Sequence, residues 1–275
     1  MKKILVLFLF VSIKLFGQTT PEEAMEMGND AFYKGKPKQA AEYYSKYIEA
    51  YRDSSRGYTA RGNAYVLMQD FKSALVDFKM AIFLDSNNAR AYSGLGTVYF
   101  FIGNSGEAIK YLNKSISLDP ESIMSYQTLA SIYTAEQKFN DAMSVIDKAL
   151  TISPSDGESY RIKGTVYFYM NDTNNALSNL DKAIERAPDN PKMYNTRGAL
   201  YKDINKLDLA LTDYDRALLI NPNDAEALAR KGIVFLLQKK YKEAVEYIEK
   251  GISIDPGIES GVKKYLDEAK SNLKK

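Results

Sequence analysis

The 275-residue sequence predicts an all-α fold of stacked helical hairpins, a solenoid. Three observations carry this. Small residues stand at Gly28, Gly62, Gly96, Ala130, Gly164, Gly198 and Gly232, each 34 positions after the last. Alanine stands twelve residues beyond each of them, from Ala40 to Ala244. Between these columns run two stretches whose apolar residues are spaced by three and four, the period of one helix face, joined by a short polar or Gly-containing turn.

The N-terminus opens the chain differently. Met1-Lys2-Lys3 is a basic start, Ile4 to Ile13 is apolar except for Ser12, and Gly17-Gln18 follows Lys14-Leu15-Phe16. A basic segment, a short apolar run and a small residue make a secretory signal peptide over residues 1–17, with cleavage between Gly17 and Gln18. The run is too short for comfortable passage through about 30 Å of hydrocarbon, so no membrane span is expected in the mature chain. This end resembles those of exported Bacteroidetes proteins, in which Gln often becomes the new first residue. The destination it implies is the periplasm or the exterior.

Further columns explain how each repeat folds. Positions are counted from the small residue. Tyr stands at −4 in five repeats (Tyr58, Tyr92, Tyr126, Tyr160, Tyr194), and an aromatic stands at +3 in six (Tyr65, Tyr99, Tyr133, Tyr167, Tyr201, Phe235). These are read as packing positions on one face of the first helix. Pro120, Pro154, Pro188, Pro222 and Pro256 stand at +24, where the missing N–H and the restricted preceding residue end the second helix.

The pattern resembles the tetratricopeptide repeat family. The resemblance covers Pro21 to Ile258 as seven units: 21–54, 55–88, 89–122, 123–156, 157–190, 191–224 and 225–258. It implies a right-handed α-solenoid whose first helices line a concave groove and whose second helices form the convex side. The sequence departs from the family where Tyr replaces the usual Trp and where Arg61, Lys163, Arg197 and Lys231 occupy a column that is usually Leu. At the start, Thr20-Pro21-Glu22-Glu23 is a capping signal: Thr as N-cap, Pro at the first helical position, Glu three residues after the cap. At the end, residues 259–275 read as a capping helix with Val262, Leu266, Ala269 and Leu273 as its apolar stripe.

Composition removes much of enzyme chemistry. The chain has no His and no Cys. It therefore has no imidazole base, no thiolate nucleophile and no imidazole or thiolate metal site. No phosphate-cradling Gly loop and no paired-carboxylate motif stands out. Asn171-Asp172-Thr173-Asn174-Asn175 falls in a turn and lacks the Gly and distal Glu of a Ca²⁺ loop. The formal charge is +2, but Lys2, Lys3 and Lys14 lie in the leader, and residues 18–275 carry −1. A near-neutral chain has no global field for nucleic acid. No cofactor, metal or catalytic residue is assigned, and an enzyme is not expected.

Groove-facing positions on the first helix are expected at −6, −3, +1, +4 and +5. The +5 column holds Tyr33, Leu67, Phe101, Tyr169 and Leu237, where the family is commonly polar; Phe100 and Phe168 precede two of them at +4. Apolar residues aligned along a groove mark an interaction surface. The family's carboxylate clamp is incomplete, although Asn29 and Asn63 match one of its columns and Arg56 and Arg90 give the first half of the groove a basic rim. The candidate peptide-binding residues are thus Tyr33, Arg56, Asn63, Leu67, Arg90, Phe100, Phe101, Phe168, Tyr169 and Leu237.

The function expected is that of an exported, non-enzymatic adaptor that binds a peptide or helix of an envelope protein. The alternative is a structural component acting through lateral packing or oligomerisation. Export has a direct check. Intact mass of protein recovered from the periplasm is expected to lack residues 1–17; a recovered chain that retains Met1 contradicts the leader.

Overall fold

The structure, a computed structural model, describes residues 19–274; the expected leader lies outside them. Among the described residues there are fifteen α-helices, one 3-10 turn and no strand. The helices are α1 (Pro21–Tyr33), α2 (Pro37–Ala50), α3 (Ser55–Leu67), α4 (Phe71–Leu84), α5 (Ala89–Phe101), α6 (Ser105–Leu118), α7 (Ile123–Ala135), α8 (Phe139–Ile152), α9 (Gly157–Tyr169), α10 (Thr173–Arg186), α11 (Pro191–Asp203), α12 (Leu207–Ile220), α13 (Ala225–Leu237), α14 (Tyr241–Ile254) and α15 (Glu259–Leu273). The chain divides into two compact units, Met1–Gly103 and Asn104–Lys275.

Local chemistry sets the helix ends. Every first helix is preceded by Thr, Ser, Asn or Asp: Thr20, Ser54, Asn88, Ser122, Asp156, Asn190 and Asp224. All but Ser122 accept a hydrogen bond from a backbone N–H in the opening turn, which satisfies one of the orphan donors there. At Thr20 the bond is reciprocated, because its own N–H donates to Glu23 Oε2 at 2.9 Å. The turn between paired helices always uses a residue with positive φ seven positions after the small residue: Gly35, Gln69, Gly103, Gln137, Asn171, Asn205 and Lys239. This left-handed position accounts for the Asn-rich segment at 171–175, where Asp172 caps α10.

In the first unit the core is assembled around close helix approaches. Phe78 of α4 is fully buried, and its ring lies against Gly62 of α3 and Gly94 of α5. A Cβ at Gly62 would stand 2.8 Å from that ring, and one at Gly94 would collide with it. Tyr44 of α2 fills the same place against Gly28. In the second unit Leu180, Tyr214 and Ile248 press on Gly164, Gly198 and Gly232 in the same way. The alanines at +12 are completely buried in all seven repeats. First helices of successive repeats also touch, α3 with α5 in the first unit and α7, α9, α11 and α13 in turn in the second.

The aromatic columns differ from the expectation of core packing. Of the aromatic residues at −4 and +3 only Tyr126 and Tyr194 are buried, and the rest are half-buried. Their rings flank cations, as with Tyr58 and Tyr65 on either side of Arg61 at 5.6 and 5.8 Å.

The last helix packs on α14 and α13. Leu266 and Ala269 are buried, and Ala269 joins Leu236 and Ala244 in one cluster. Val262 is half-buried and Leu273 is exposed, so the buried part of the stripe is shorter than its sequence pattern. Lys270 bonds Glu249 at 2.7 Å from the outer side. Removing residues 259–275 bares this cluster and is expected to lower stability by roughly 2–3 kcal/mol, the burial of one large side chain and its neighbours. Thermal unfolding and amide exchange in α13–α14 would show it; unchanged melting and exchange contradict the capping role.

Candidate functional site

Ten Lys and Arg stand on the first helices α1, α3, α5, α7, α9, α11 and α13, and their pairing separates structural charges from available ones. Arg61 of α3 holds Asp77 of α4 bidentately, Nε to Oδ2 at 2.7 Å and Nη2 to Oδ1 at 2.8 Å, while Nη1 donates to Ser45 of α2 at 3.0 Å. Arg197 of α11 repeats the arrangement in the second unit. Its Nε and Nη2 donate to Asp213 of α12 at 2.9 and 2.7 Å, and Nη1 donates to Asp181 of α10 at 2.7 Å. Both Asp77 and Asp213 are almost wholly buried, and their hydrogen bonds raise the pKa of each guanidinium despite the opposing cost of burial.

Lysines use the same geometry. Lys163 reaches Asp147 at 2.6 Å, and Lys231 reaches Asp215 at 2.5 Å with its ammonium 4.4 Å from the Tyr247 ring centroid. Every one of these partners lies 16 residues away in sequence. The four cations that replace the usual Leu therefore tie a first helix to the second helices packed on it. The recurrent offset of 16 between Lys or Arg and Asp was visible in the sequence and is the signal that finds them.

A second lock uses the −3 column, which the sequence assigned to the groove. Asn88 Nδ2 donates to Thr59 Oγ1 at 2.9 Å, Gln127 Nε2 to Asp156 Oδ2 at 2.7 Å and Asn195 Nδ2 to Asp224 Oδ2 at 2.9 Å. Each bond joins a −3 side chain to the N-cap of the next repeat, so these residues hold the repeats in register.

The −6 column, the second residue of each first helix, then stands out. Its acids are engaged within the chain. Glu22 accepts from the Tyr51 hydroxyl at 2.5 Å, which holds its pKa below the ordinary value. Burial opposes ionisation of Glu158, but the Arg161 guanidinium at 2.6 Å outweighs it and keeps the carboxyl low. Glu226 bonds Arg230 at 2.5 Å. Its cations, Arg56, Arg90 and Lys192, are exposed and make no salt bridge among the described residues. The other seven first-helix cations are all ion-paired.

In the first unit a cleft of about 480 Å³ brings Tyr33, Arg56, Asn63 and Arg90 together with Asn29, Thr59 and Asn88. Tyr44 forms part of its wall. Burial pushes the Tyr44 phenol up to about 12, so it stays protonated and donates to Asn29 Oδ1 at 2.9 Å. In the second unit a cleft of about 420 Å³ is lined by Phe168, Tyr169 and Leu200 together with Lys192, Thr196, Glu226 and Arg230.

The remaining candidates lie differently. Leu67, Phe101 and Leu237 are the exposed last residues of their helices, beside the turns. Phe101 stacks on Phe71 at the start of α4, with centroids 5.5 Å apart, and Phe100 leans on Phe101 at 5.9 Å. Phe168 and Tyr169 stay together at 5.6 Å. The clefts thus combine polar side chains with aromatic residues at helix ends, because +5 falls at the helix terminus.

Comparison with known proteins agrees with this architecture. Tetratricopeptide repeat models match residues 89–122, 125–156, 157–190, 191–224 and 225–258, and related repeat models match 25–78 and 62–103. The chain belongs to the tetratricopeptide repeat family. Repeats of this family typically form non-catalytic scaffolds for protein interaction. Among solved structures, a tetratricopeptide repeat protein from Parabacteroides merdae matches with a TM-score of 0.69 at 17% identity, over 90% of this chain and 98% of that one. The APC/C hetero-tetramer Cut9-Hcn1 matches with a TM-score of 0.69 at 16% identity, over 91% of this chain and 46% of that one. Yeast Tom70 matches with a TM-score of 0.69 at 23% identity, over 92% and 54%. This chain thus spans about half the length of the last two, and the likeness is one of fold. No curated protein sequence matches this tetratricopeptide repeat protein. None of its described helices is long and apolar enough to cross a membrane.

The guanidinium locks give a mutational check. Arg197→Met leaves the Asp213 carboxylate buried without a counter-charge and is expected to cost about 3 kcal/mol. Adding Asp213→Asn should recover a large part of that. Urea unfolding of the two variants measures it; equal stabilities contradict the lock.

Proposed function

We propose that this protein is an exported, non-catalytic adaptor whose first-helix face binds an acidic segment of another envelope protein. The observation that carries the reading is the −6 column: within it the acids are engaged in the chain and the cations are left without a salt bridge. Arg56 and Arg90 stand in one cleft beside the Asn63 and Asn29 amides, which offers planar, forked donors to a carboxylate. Tyr33 supplies an aromatic margin there, as Phe168 and Tyr169 do beside Lys192 in the second unit. An aromatic or aliphatic residue flanking the acids of the bound segment fits that margin. Leu67, Phe100 and Phe101 add apolar side chains near the helix ends of the first unit, and Leu237 does so in the second. Export is supported by the leader pattern of residues 1–17.

Selection from a random peptide library on the mature chain tests this. Wild type is expected to enrich peptides rich in Asp and Glu, with binding that weakens as salt rises. Arg56→Ala with Arg90→Ala should lose that enrichment and weaken a selected acidic peptide by about 30-fold or more, without altering the melt. Enrichment of basic or uncharged peptides, or acidic binding that persists in the double variant, contradicts the reading.

A further inference from the structure

Two buried oxygens of the second unit have hydrogen-bonding capacity that the fold does not use. Position +16, whose side chain presses on the small-residue column, is Tyr in repeats one and six alone, as Tyr44 and Tyr214; elsewhere it is Phe, Leu or Ile. A buried phenol ordinarily finds a partner. In repeat one Tyr44 donates to Asn29, the +1 residue of its own repeat, at 2.9 Å. In repeat six the +1 residue is Ala199, which has no such acceptor. Tyr214 is fully buried, and its hydroxyl has no hydrogen-bond partner among the described residues. Asn195, one turn before Ala199, is 8% exposed and only half used. Its Nδ2 donates to Asp224 at 2.9 Å, which fixes the orientation of the amide, and its Oδ1 has no partner.

Both oxygens belong to one stretch of the second-unit cleft. Asn195, Ala199 and Arg230 line it. The Tyr214 ring lies against Gly198, next to Ala199; a Cβ there would stand 3.2 Å from the ring carbon that bears the hydroxyl. Burial pushes the phenol up to about 12 against the pull of the neighbouring Arg230, so the hydroxyl keeps its proton.

We propose that Asn195 Oδ1 and the Tyr214 hydroxyl form a subsite for a primary amide, a Gln or Asn side chain carried by the segment that the cleft binds. The inference rests on the adaptor reading of the clefts and adds a second recognised group to the acids. The amide N–H donates to Asn195 Oδ1, and the amide carbonyl accepts from the Tyr214 O–H. Other side chains match less well. A carboxylate has no proton for Asn195. An ammonium has no acceptor for Tyr214 and would face Lys192 and Arg230. A hydroxyl offers donor and acceptor at a single atom, whereas the two oxygens stand on different helices, α11 and α12. Arg230 is the removable part of the wall. Its side chain is 38% exposed, and its salt bridge is to Glu226 on its own helix. An acid of the segment that draws this guanidinium outward opens the way to the two oxygens, so acid and amide are read together.

The experiment is selection from a random peptide library on the mature chain, followed by binding of one enriched peptide and its Gln→Met or Asn→Leu counterpart. Wild type should enrich Gln or Asn at a fixed distance from the acids. Loss of the amide should weaken binding roughly tenfold or more, because both protein oxygens are then left unpaired. Ala199→Asn gives Tyr214 the partner that Asn29 gives Tyr44, and Tyr214→Phe removes the hydroxyl. In each variant the amide preference should fall below about threefold, while the weakening of binding by salt persists. Tyr214→Phe should melt no lower than wild type, since it takes no hydrogen bond away. The wild-type comparison of the two peptides decides the matter even if a variant folds poorly. Acidic peptides without a fixed amide, or with Ser or Thr in its place, overturn the subsite and leave the acidic reading standing. Amide-bearing peptides without acids do the reverse. A Tyr214→Phe chain that melts well below wild type shows a hydroxyl already employed by the fold and also overturns the proposal.

Discussion

The interaction on which everything else rests is the contact between a bulky side chain of each second helix and a residue without one on the first. Phe78 against Gly62 and Gly94 shows the constraint at its tightest. A ring occupies the space a Cβ would need, so the axes come closer than two ordinary helices allow, and the ring loses all contact with water. Tyr44, Leu180, Tyr214 and Ile248 repeat the solution at their own glycines. Because the contact recurs every 34 residues, each repeat buries little by itself and depends on its neighbours. This is why the end of the array carries α15, whose Leu266 and Ala269 cover what the last repeat leaves open.

Close approach brings polar groups together that would be costly if left unpaired. Asp77 and Asp213 lie within this packing, and a bidentate guanidinium satisfies each. The third donor of each arginine reaches back to the preceding second helix, at Ser45 or Asp181, so one side chain fixes three helices. On the other side of the first helices, the −3 side chains bond the N-caps of the following repeat. The two locks act at different places and leave the −6 cations Arg56, Arg90 and Lys192 outside both. Two of them share the first-unit cleft with Tyr33, and the third shares the second-unit cleft with Phe168 and Tyr169. The acidic segment proposed as ligand rests on that pairing of cations with aromatic residues.

The outward side of the second helices shows the reverse logic. In most repeats its exposed columns carry Lys, Ser, Glu or Thr, which suits a solvated surface. In α4 the same columns hold Val76, Met80 and Phe83, all exposed.

The sequence by itself determined the all-α repeat, its phase, the small-residue and alanine columns, the capping box at Thr20 and the stop at each proline. These follow from short-range spacing, and seven in-phase copies make the spacing unmistakable. It placed +4 and +5 together on the groove side, whereas the packed helices leave Phe32, Phe100 and Phe168 half-buried and Tyr33, Phe101 and Tyr169 exposed. Only the tertiary structure decided which polar side chains are spent on holding the fold. Arg61, Lys163, Arg197 and Lys231 read as departures from a Leu column, and Thr59 and Asn195 lay in columns assigned to the groove, because their partners are 16 or 29 residues away on other helices. Phe101 likewise met Phe71 through a contact between helices that no local pattern encodes. Helix spacing is a property of neighbouring residues in the chain; the pairing of charges and rings across helices depends on distances that exist only once the helices are packed.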